Sequence, residues 1–269
     1  MKIKKNNKEL QKFYDKVYSK GEQKHFTSFV LKGTATSEVK EIIKENVWKG
    51  KKVLDVGCGT GFFSNSIAKL GANVTGIDFS QSAILIAKKM HSHPNLEFRQ
   101  LDVSNINEKF DVIVSIGTLE HMDEPLEILK KMKKNLTPKG KIIITSPNWT
   151  NPRGYVLMTL LHLFDAPITL ADLHYQTPKD FEKYAKKLNM KMKWRTFDKS
   201  WAHGEILIKD FQRRLPNVLK DTGFNVKPKK IESFITWLEE NVSTFNNDLP
   251  HSGAIGLYTF SKKNKIILK

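Results

Sequence analysis

Between Val53 and Phe62 the chain reads VLDVGCGTGF, an apolar run that ends in glycines at 57, 59 and 61 with Asp55 two residues ahead of the first. Two more aspartates, Asp78 and Asp102, each close a β-rich run, and a further apolar run leads into Gly117-Thr118-Leu119-Glu120-His121. Alternate glycines permit a tight bend and let a ligand approach the backbone. A helix starting directly behind the bend adds free N–H donors and the positive end of its dipole. A pyrophosphate-bearing dinucleotide calls for the spacing Gly-x-Gly-x-x-Gly. Here the third glycine comes one residue early, Phe62 holds the fingerprint position, and Asp55 is poorly placed beside a pyrophosphate. A cationic nucleoside without phosphates is the better match. Glu120-His121 offers a second chemistry, because histidine has a near-neutral intrinsic pKa and suits proton transfer. Cys58, the single cysteine, reads as a small space-filler with no basic neighbour in sequence to activate it.

The elements that must hold these residues alternate along the chain. β-rich runs lie at 52–56, 73–77, 96–101, 110–116 and 141–145, with helical stretches at 62–70, 80–90 and 125–136 between them. Such alternation predicts βαβ units and a parallel sheet. Right-handed crossovers then cover both faces with helices, as the near-continuous apolar character of the first strands also demands. Ligands gather at the carboxyl ends of parallel strands, where the residues above are expected. After Ser146 the rhythm breaks: 146–176 contains Pro147, Pro152, Pro167 and several aromatics, and reads as an elaborated loop holding one apolar helix. Thr177-Pro178-Lys179-Asp180 opens a helix that runs to about Leu188, with Thr at the N-cap and Pro at the first helical position. Residues 191–197 and 255–261 read as strands, and two amphipathic helical patterns, 205–219 and 230–245, lie between them.

In this setting DVGCGTG resembles motif I of the class I S-adenosylmethionine-dependent methyltransferases, and the rest of that family's pattern follows in order. The resemblance covers about residues 45–200 and the last strand. It implies a Rossmann-like, doubly wound α/β fold: a mostly parallel seven-stranded sheet with an antiparallel last strand and a helical insertion before it. The corresponding division is an N-terminal helical cap at 1–45, the core at 46–200, the insertion at 201–250 and the final strand within 251–269. The implied cofactor is S-adenosyl-L-methionine, held by Asp55, Gly57, Cys58, Gly59 and Gly61 at the bend. Asp78, 17 residues beyond Gly61, would hold the ribose hydroxyls, Asp102 would face the adenine amino group, Gly117 would pass beneath the cofactor, and Phe79 and Val103 are further cofactor-binding residues. His121 is the candidate base, and Glu120 would orient it or bind the cofactor's polar end.

Each of these positions also has a plainer reading. Asp55 would hydrogen-bond a loop, Asp78 would cap the helix near Ser80, Asp102 would be a turn residue, and His121 would bind a carbonyl. The Asn/Asp-Pro-Pro-Tyr/Phe turn of amino-directed methyltransferases is missing after the fourth strand. The segment from Leu119 to Pro125, with Ser146-Pro147-Asn148 after the fifth strand, is similar to the small-molecule branch that includes ubiquinone- and menaquinone-pathway enzymes. A small-molecule acceptor methylated on oxygen or carbon is therefore expected.

Composition limits the alternatives. With 269 residues, 39% hydrophobic and 27% charged, the chain has globular character. Its net charge of +17 attracts polyanions, but forty of the 45 basic residues are Lys, which coats surfaces, whereas Arg is the better fork for phosphate. Nucleic acid is thus an alternative partner, as for an RNA methyltransferase, and not the favoured one. A third reading is a cofactor-binding subunit that activates a partner without transferring a methyl group. The apolar run 155–164 is too short to span a bilayer. It suits core packing, an oligomer face, or the wall of a tunnel for an apolar acceptor. Contact of the Lys-rich surface with an anionic membrane is a further alternative. One cysteine excludes an intramolecular disulfide framework and a Cys-rich zinc site, and no metal is expected. The N-terminus has no apolar stretch of secretory type, so a cytoplasmic monomer or homodimer is the default. Tyr14 and Tyr18 are candidates to close over the cofactor, and Arg153, Tyr155, His174, Tyr175, Trp201 and His203 are pocket candidates by location.

Overall fold

In the computed structural model, which describes residues 36–166, 168–169, 172–243 and 249–263 together with Lys12 and Asp15, the apolar runs form one seven-stranded sheet. Strands β1 (Lys52–Val56), β2 (Asn73–Asp78), β3 (Leu96–Gln100), β4 (Phe110–Ile116), β5 (Leu136–Pro147), β6 (Met190–Phe197) and β7 (Ile255–Lys262) stand in the order β3-β2-β1-β4-β5-β7-β6. β1 pairs in parallel with β2 and β4, β2 with β3, and β4 with β5. The chain therefore reverses its direction of travel across the sheet between β1 and β4. That is the switch point at which open α/β sheets bind ligands. Lys262 Nζ donates to Leu136 O at 3.1 Å, which brings the end of β7 to the start of β5 and makes β7 antiparallel to it. Tyr14 and Tyr18 lie outside the described residues.

Two compact units make up the chain: 1–145 with 182–193 and 258–269, and 146–181 with 194–257. In the first, helices α1 (Ser37–Lys44), α2 (Phe62–Lys69), α3 (Gln81–Met90) and α4 (Pro125–Lys134) flank the strands. Val53, Leu54, Ile77, Ile113, Val114, Ile142 and Ile144 are buried between the helical layers, consistent with strands covered on both faces. On α3, Ile84 and Ala87 pack against Phe98 of β3. β5 is longer than the expected 141–145. An irregular step between Phe110 and Val112 lets Phe110 pair with Leu136, so 136–140 joins the strand despite Pro138 and Gly140.

The second unit contains helices α5 (Pro152–Phe164), α7 (Lys199–Ala202), α8 (Glu205–Asp221) and α9 (Pro228–Asn241), while α6 (Pro178–Lys187) leads from this unit into the other. Trp149, Leu157, Ile168, Phe211, Leu215, Ile235 and Leu238 form one apolar cluster, so the helices within 201–250 share a core with 149–168. Burying each such side chain contributes about 1.5–3 kcal/mol, which is why the two amphipathic patterns settle here. Among the described residues, no helix is long and apolar enough to cross a membrane.

Candidate functional site

The site is built on the turn that leaves β1. Gly57, Gly59 and Gly61 all have positive φ, at 74°, 52° and 81°. This conformation is open to glycine and strained for other residues. A Cβ at Gly57 would lie 2.4 Å from Thr118 Cγ2, and one at Gly61 would lie 2.3 Å from Phe98 Cζ. The turn is strapped to the end of β2: Gly57 N and Cys58 N both donate to Ile77 O, at 2.8 and 3.0 Å. Two backbone bonds thus fix the bend against the strand that delivers Asp78.

Asp78 closes β2 and is buried, its Oδ2 accepting from Gly59 N at 3.0 Å and its Oδ1 from Ser80 N at 2.9 Å. It is not the cap of α3. Ser80 is, with its Oγ accepting from Ala83 N at 3.2 Å. Asp55, within β1, is also buried and accepts from Ser64 Oγ at 2.6 Å. Burial raises the pKa of both carboxyls. For Asp55 it rises to about 7, with the Ser64 bond opposing and the charge of Asp78 adding to the rise. Cys58 packs beside Ile84 and Phe98, and burial with the two aspartates pushes its thiol well up. Phe79 follows Asp78, and its carbonyl accepts from Gln100 Nε2 at 3.3 Å.

At the end of β3, Asp102 is exposed and caps the short turn Val103–Asn105, its Oδ1 accepting from Ser104 N at 2.7 Å and also from Ser104 Oγ. Val103 is buried beside it. After β4, Gly117 turns with φ 53°, and its N–H donates to Thr145 Oγ1 of β5 at 3.1 Å. A second one-turn 3-10 helix, Leu119–His121, follows and buries both Glu120 and His121. The bend of β1 and the turn of β4 leave adjacent strands, which brings Asp55, Asp78, Gly117, Glu120 and His121 to one end of the sheet. Asp102 ends β3 at the flank.

Three partners of this site were not singled out in the sequence. Ser64 reaches Asp55 from α2, and Asp15 Oδ1 accepts from Ser80 Oγ at 2.5 Å. Glu38 of α1 accepts from Thr145 Oγ1 at 2.7 Å. Glu38 Oε1 and Glu120 Oε1 lie 3.9 and 3.8 Å from where a Cβ of Gly117 would stand, so two carboxylates border the space over this glycine. No local pattern marks Glu38. Its place depends on α1 docking beside β5.

In the second unit the pocket candidates part company. Arg153 is largely buried, lies over the Trp149 ring at 5.4 Å and contacts Asp210 at 3.5 Å. Arg213 and Arg214 converge on the same carboxylate at 3.2 and 3.1 Å. Tyr175 packs edge-on to Trp149, with ring centroids 5.5 Å apart. Tyr155 is exposed, His203 is buried, and His174 and Trp201 are half-buried.

A methyltransferase-domain family profile matches residues 48–223, more than half of the chain. Over 153 residues the chain is 37% identical to the ubiquinone biosynthesis O-methyltransferase of Actinobacillus pleuropneumoniae serotype 7, covering 53% of this chain and 63% of that protein. It is 34% identical over 139 residues to the mitochondrial ubiquinone biosynthesis O-methyltransferase of Schizosaccharomyces pombe, covering 49% and 51%. The match thus spans between half and two thirds of these relatives' lengths. Among solved structures, a chain from the complex of the Haloferax volcanii Trm112 methyltransferase activator with its methyltransferase superposes with TM-score 0.62 at 14% identity, covering 93% of this chain and 98% of that one. A Thermotoga maritima SAM-dependent methyltransferase superposes with TM-score 0.57 at 14% identity, covering 94% and 99%. At such identity these two carry the fold alone.

Proposed function

Because the chain belongs to the methyltransferase-domain family, we propose that it transfers the methyl group of S-adenosylmethionine to an oxygen of a small-molecule acceptor. The observation that carries this reading is the pair of buried carboxylates, Asp55 and Asp78, set around a bend that only glycines can make. Both are costly to ionise in the protein alone, and a positively charged nucleoside offsets that cost. The residues present therefore fit the cofactor.

When bound, S-adenosylmethionine supplies an electrophilic methyl group whose leaving group is a neutral thioether. The protein's part is alignment and proton handling. Asp78 presents a carboxylate already fixed by two backbone N–H groups, ready to accept from vicinal hydroxyls. Gly57, Cys58, Gly59 and Gly61 form the floor, Phe79 and Val103 the apolar flanks, and Asp102 a polar edge for the base. Gly117 lines the far side. His121 removes the acceptor's hydroxyl proton and Glu120 orients it, both standing where the fourth strand ends.

The acceptor class to try first is the ubiquinone precursor type named for the relatives, with carbon methylation as the alternative outcome. A cytoplasmic site of action and a monomeric or homodimeric state belong to the same reading. The test is methyl transfer from labelled S-adenosylmethionine to a panel of hydroxylated aromatic acceptors, scored for label on oxygen against carbon. Absence of binding to S-adenosylhomocysteine would falsify the proposal at its root.

A further inference from the structure

We propose that the larger unit carries, at the amino end of its strands, a binding site for a small polyphosphate-bearing ligand. The site is a cleft of about 450 Å³ lined by Lys130, Lys133, Lys134, Lys187, Leu188 and Lys262. It does not depend on the methyl-transfer reading. α4 starts beyond the carboxyl end of β4 and finishes at Lys134, two residues before β5 begins at Leu136. β7 runs the other way and brings Lys262 to the same place. The cleft therefore sits at the opposite end of the sheet from the glycine bend and from Glu120 and His121.

Lys133 and Lys262 are positioned within the cleft, while Lys134 and Lys187 stand exposed at it. Two of the lining lysines are held by carbonyls: Lys133 Nζ donates to Leu188 O at 2.6 Å and Lys262 Nζ to Leu136 O at 3.1 Å. Carbonyls orient these groups but do not neutralise them. Among the described residues no carboxylate lines the cleft; Glu127, outside the lining, pairs with Lys130 at 2.6 Å. Burial, together with Lys109 and Lys133, pushes the Lys262 ammonium below its ordinary pKa, as expected where positive charge is left uncompensated. Helix dipoles favour lysines in the last turns of α4 and of α6, each separately. They give no reason for both ends and Lys262 of β7 to converge on one hollow.

The chemistry and size select the ligand. Lysine binds phosphate as a point charge, so several lysines around one hollow suit several linked phosphates. A volume near 450 Å³ lies in the range of small-ligand sites, about 300–1,000 Å³. A bilayer surface calls for exposed apolar anchors beside the basic residues, and here Leu188 is buried. A nucleic-acid strand calls for aromatic platforms, and among the described residues no aromatic side chain lines the cleft.

Titration calorimetry of the full chain with sodium tripolyphosphate at low ionic strength tests this. Expected is saturable one-to-one binding, at least about tenfold tighter than inorganic monophosphate and weakening steeply with added salt. The exposed pair Lys134→Gln/Lys187→Gln should lose at least about tenfold in affinity, while Lys88→Gln/Lys89→Gln, which removes equal charge at the end of α3, should change it less than about twofold. Overlapping thermal melts show that both variants remain folded. No saturable binding, or equal loss in the two variants, overturns the proposal. So does tighter binding of RNA or of phosphatidylglycerol vesicles with the same dependence on Lys134 and Lys187.

Discussion

Asp55 and Asp78 lie on adjacent parallel strands, 2% and 8% exposed, and the charge of Asp78 adds to the cost of ionising Asp55. Between its ordinary value of 3.8 and about 7, Asp55 keeps in the folded chain a proton that it gives up on unfolding. Its contribution to stability is present below the lower value and is lost as pH rises through the upper one. The ligand-free protein should therefore lose stability from pH 5 to pH 8, by up to about 1.4 kcal/mol per pH unit for this group. Urea denaturation across that range checks it. Asp55→Asn should give a shallower dependence, with the residue due to Asp78, whose pKa shifts in the same direction.

Binding of a cation reverses that preference. S-adenosylmethionine should bind more tightly as pH rises toward 7 and above, with proton release near pH 6. Calorimetry in two buffers of different ionisation enthalpy measures the release, which Asp55→Asn should abolish or greatly reduce.

Asp78→Ala removes the acceptor for Gly59 N and Ser80 N as well as the proposed ribose contact. Affinity for S-adenosylhomocysteine should fall at least about 100-fold, as expected when charge-assisted bonds are lost. Stability should fall by about 1–3 kcal/mol from the two stranded donors. Unchanged affinity in a folded variant would remove Asp78 from the site.

Gly61→Ala and Gly57→Ala should each destabilise the fold by about 2 kcal/mol or more, since strain at positive φ adds to a clash with Phe98 or Thr118. Denaturant midpoints test this. Adding Thr118→Gly to Gly57→Ala should recover the steric part of the loss and leave the conformational part.

His121→Asn should lower kcat by about 10²–10⁴ while changing cofactor affinity less than twofold, the pattern of a proton-transfer group. A variant that instead melts early with kcat unchanged would make His121 a packing residue. Glu120→Gln should lower kcat less and shift the pH profile.

In the second unit, Asp210→Ala should cost about 3–5 kcal/mol of stability, because it leaves Arg153 and Arg214 facing each other without a buried carboxylate. Asp210→Asn should cost less, since its amide oxygen still accepts. The readout is the melting temperature.

The parallel sheet was legible because its strands had to be apolar on both faces, and the glycine bend because no other residue fits its backbone. β1 and β4 were read at their observed limits, 52–56 and 110–116. β5 was read short, since the pairing of Phe110 with Leu136 is a long-range event that the Pro138-Lys139-Gly140 stretch does not announce. Asp102 was placed at the right turn, and its use as a cap follows from Ser104 two residues on.

Local spacing by itself determined the parallel α/β sheet and the acid-flanked bend, because both are written into neighbours a few residues apart. Only the tertiary structure decided that Glu38 stands by Gly117, that three arginines meet Asp210, and that lysines from α4, α6 and β7 share one cleft. Those encounters join residues far apart in the chain, and their energy arises only after the helices have docked.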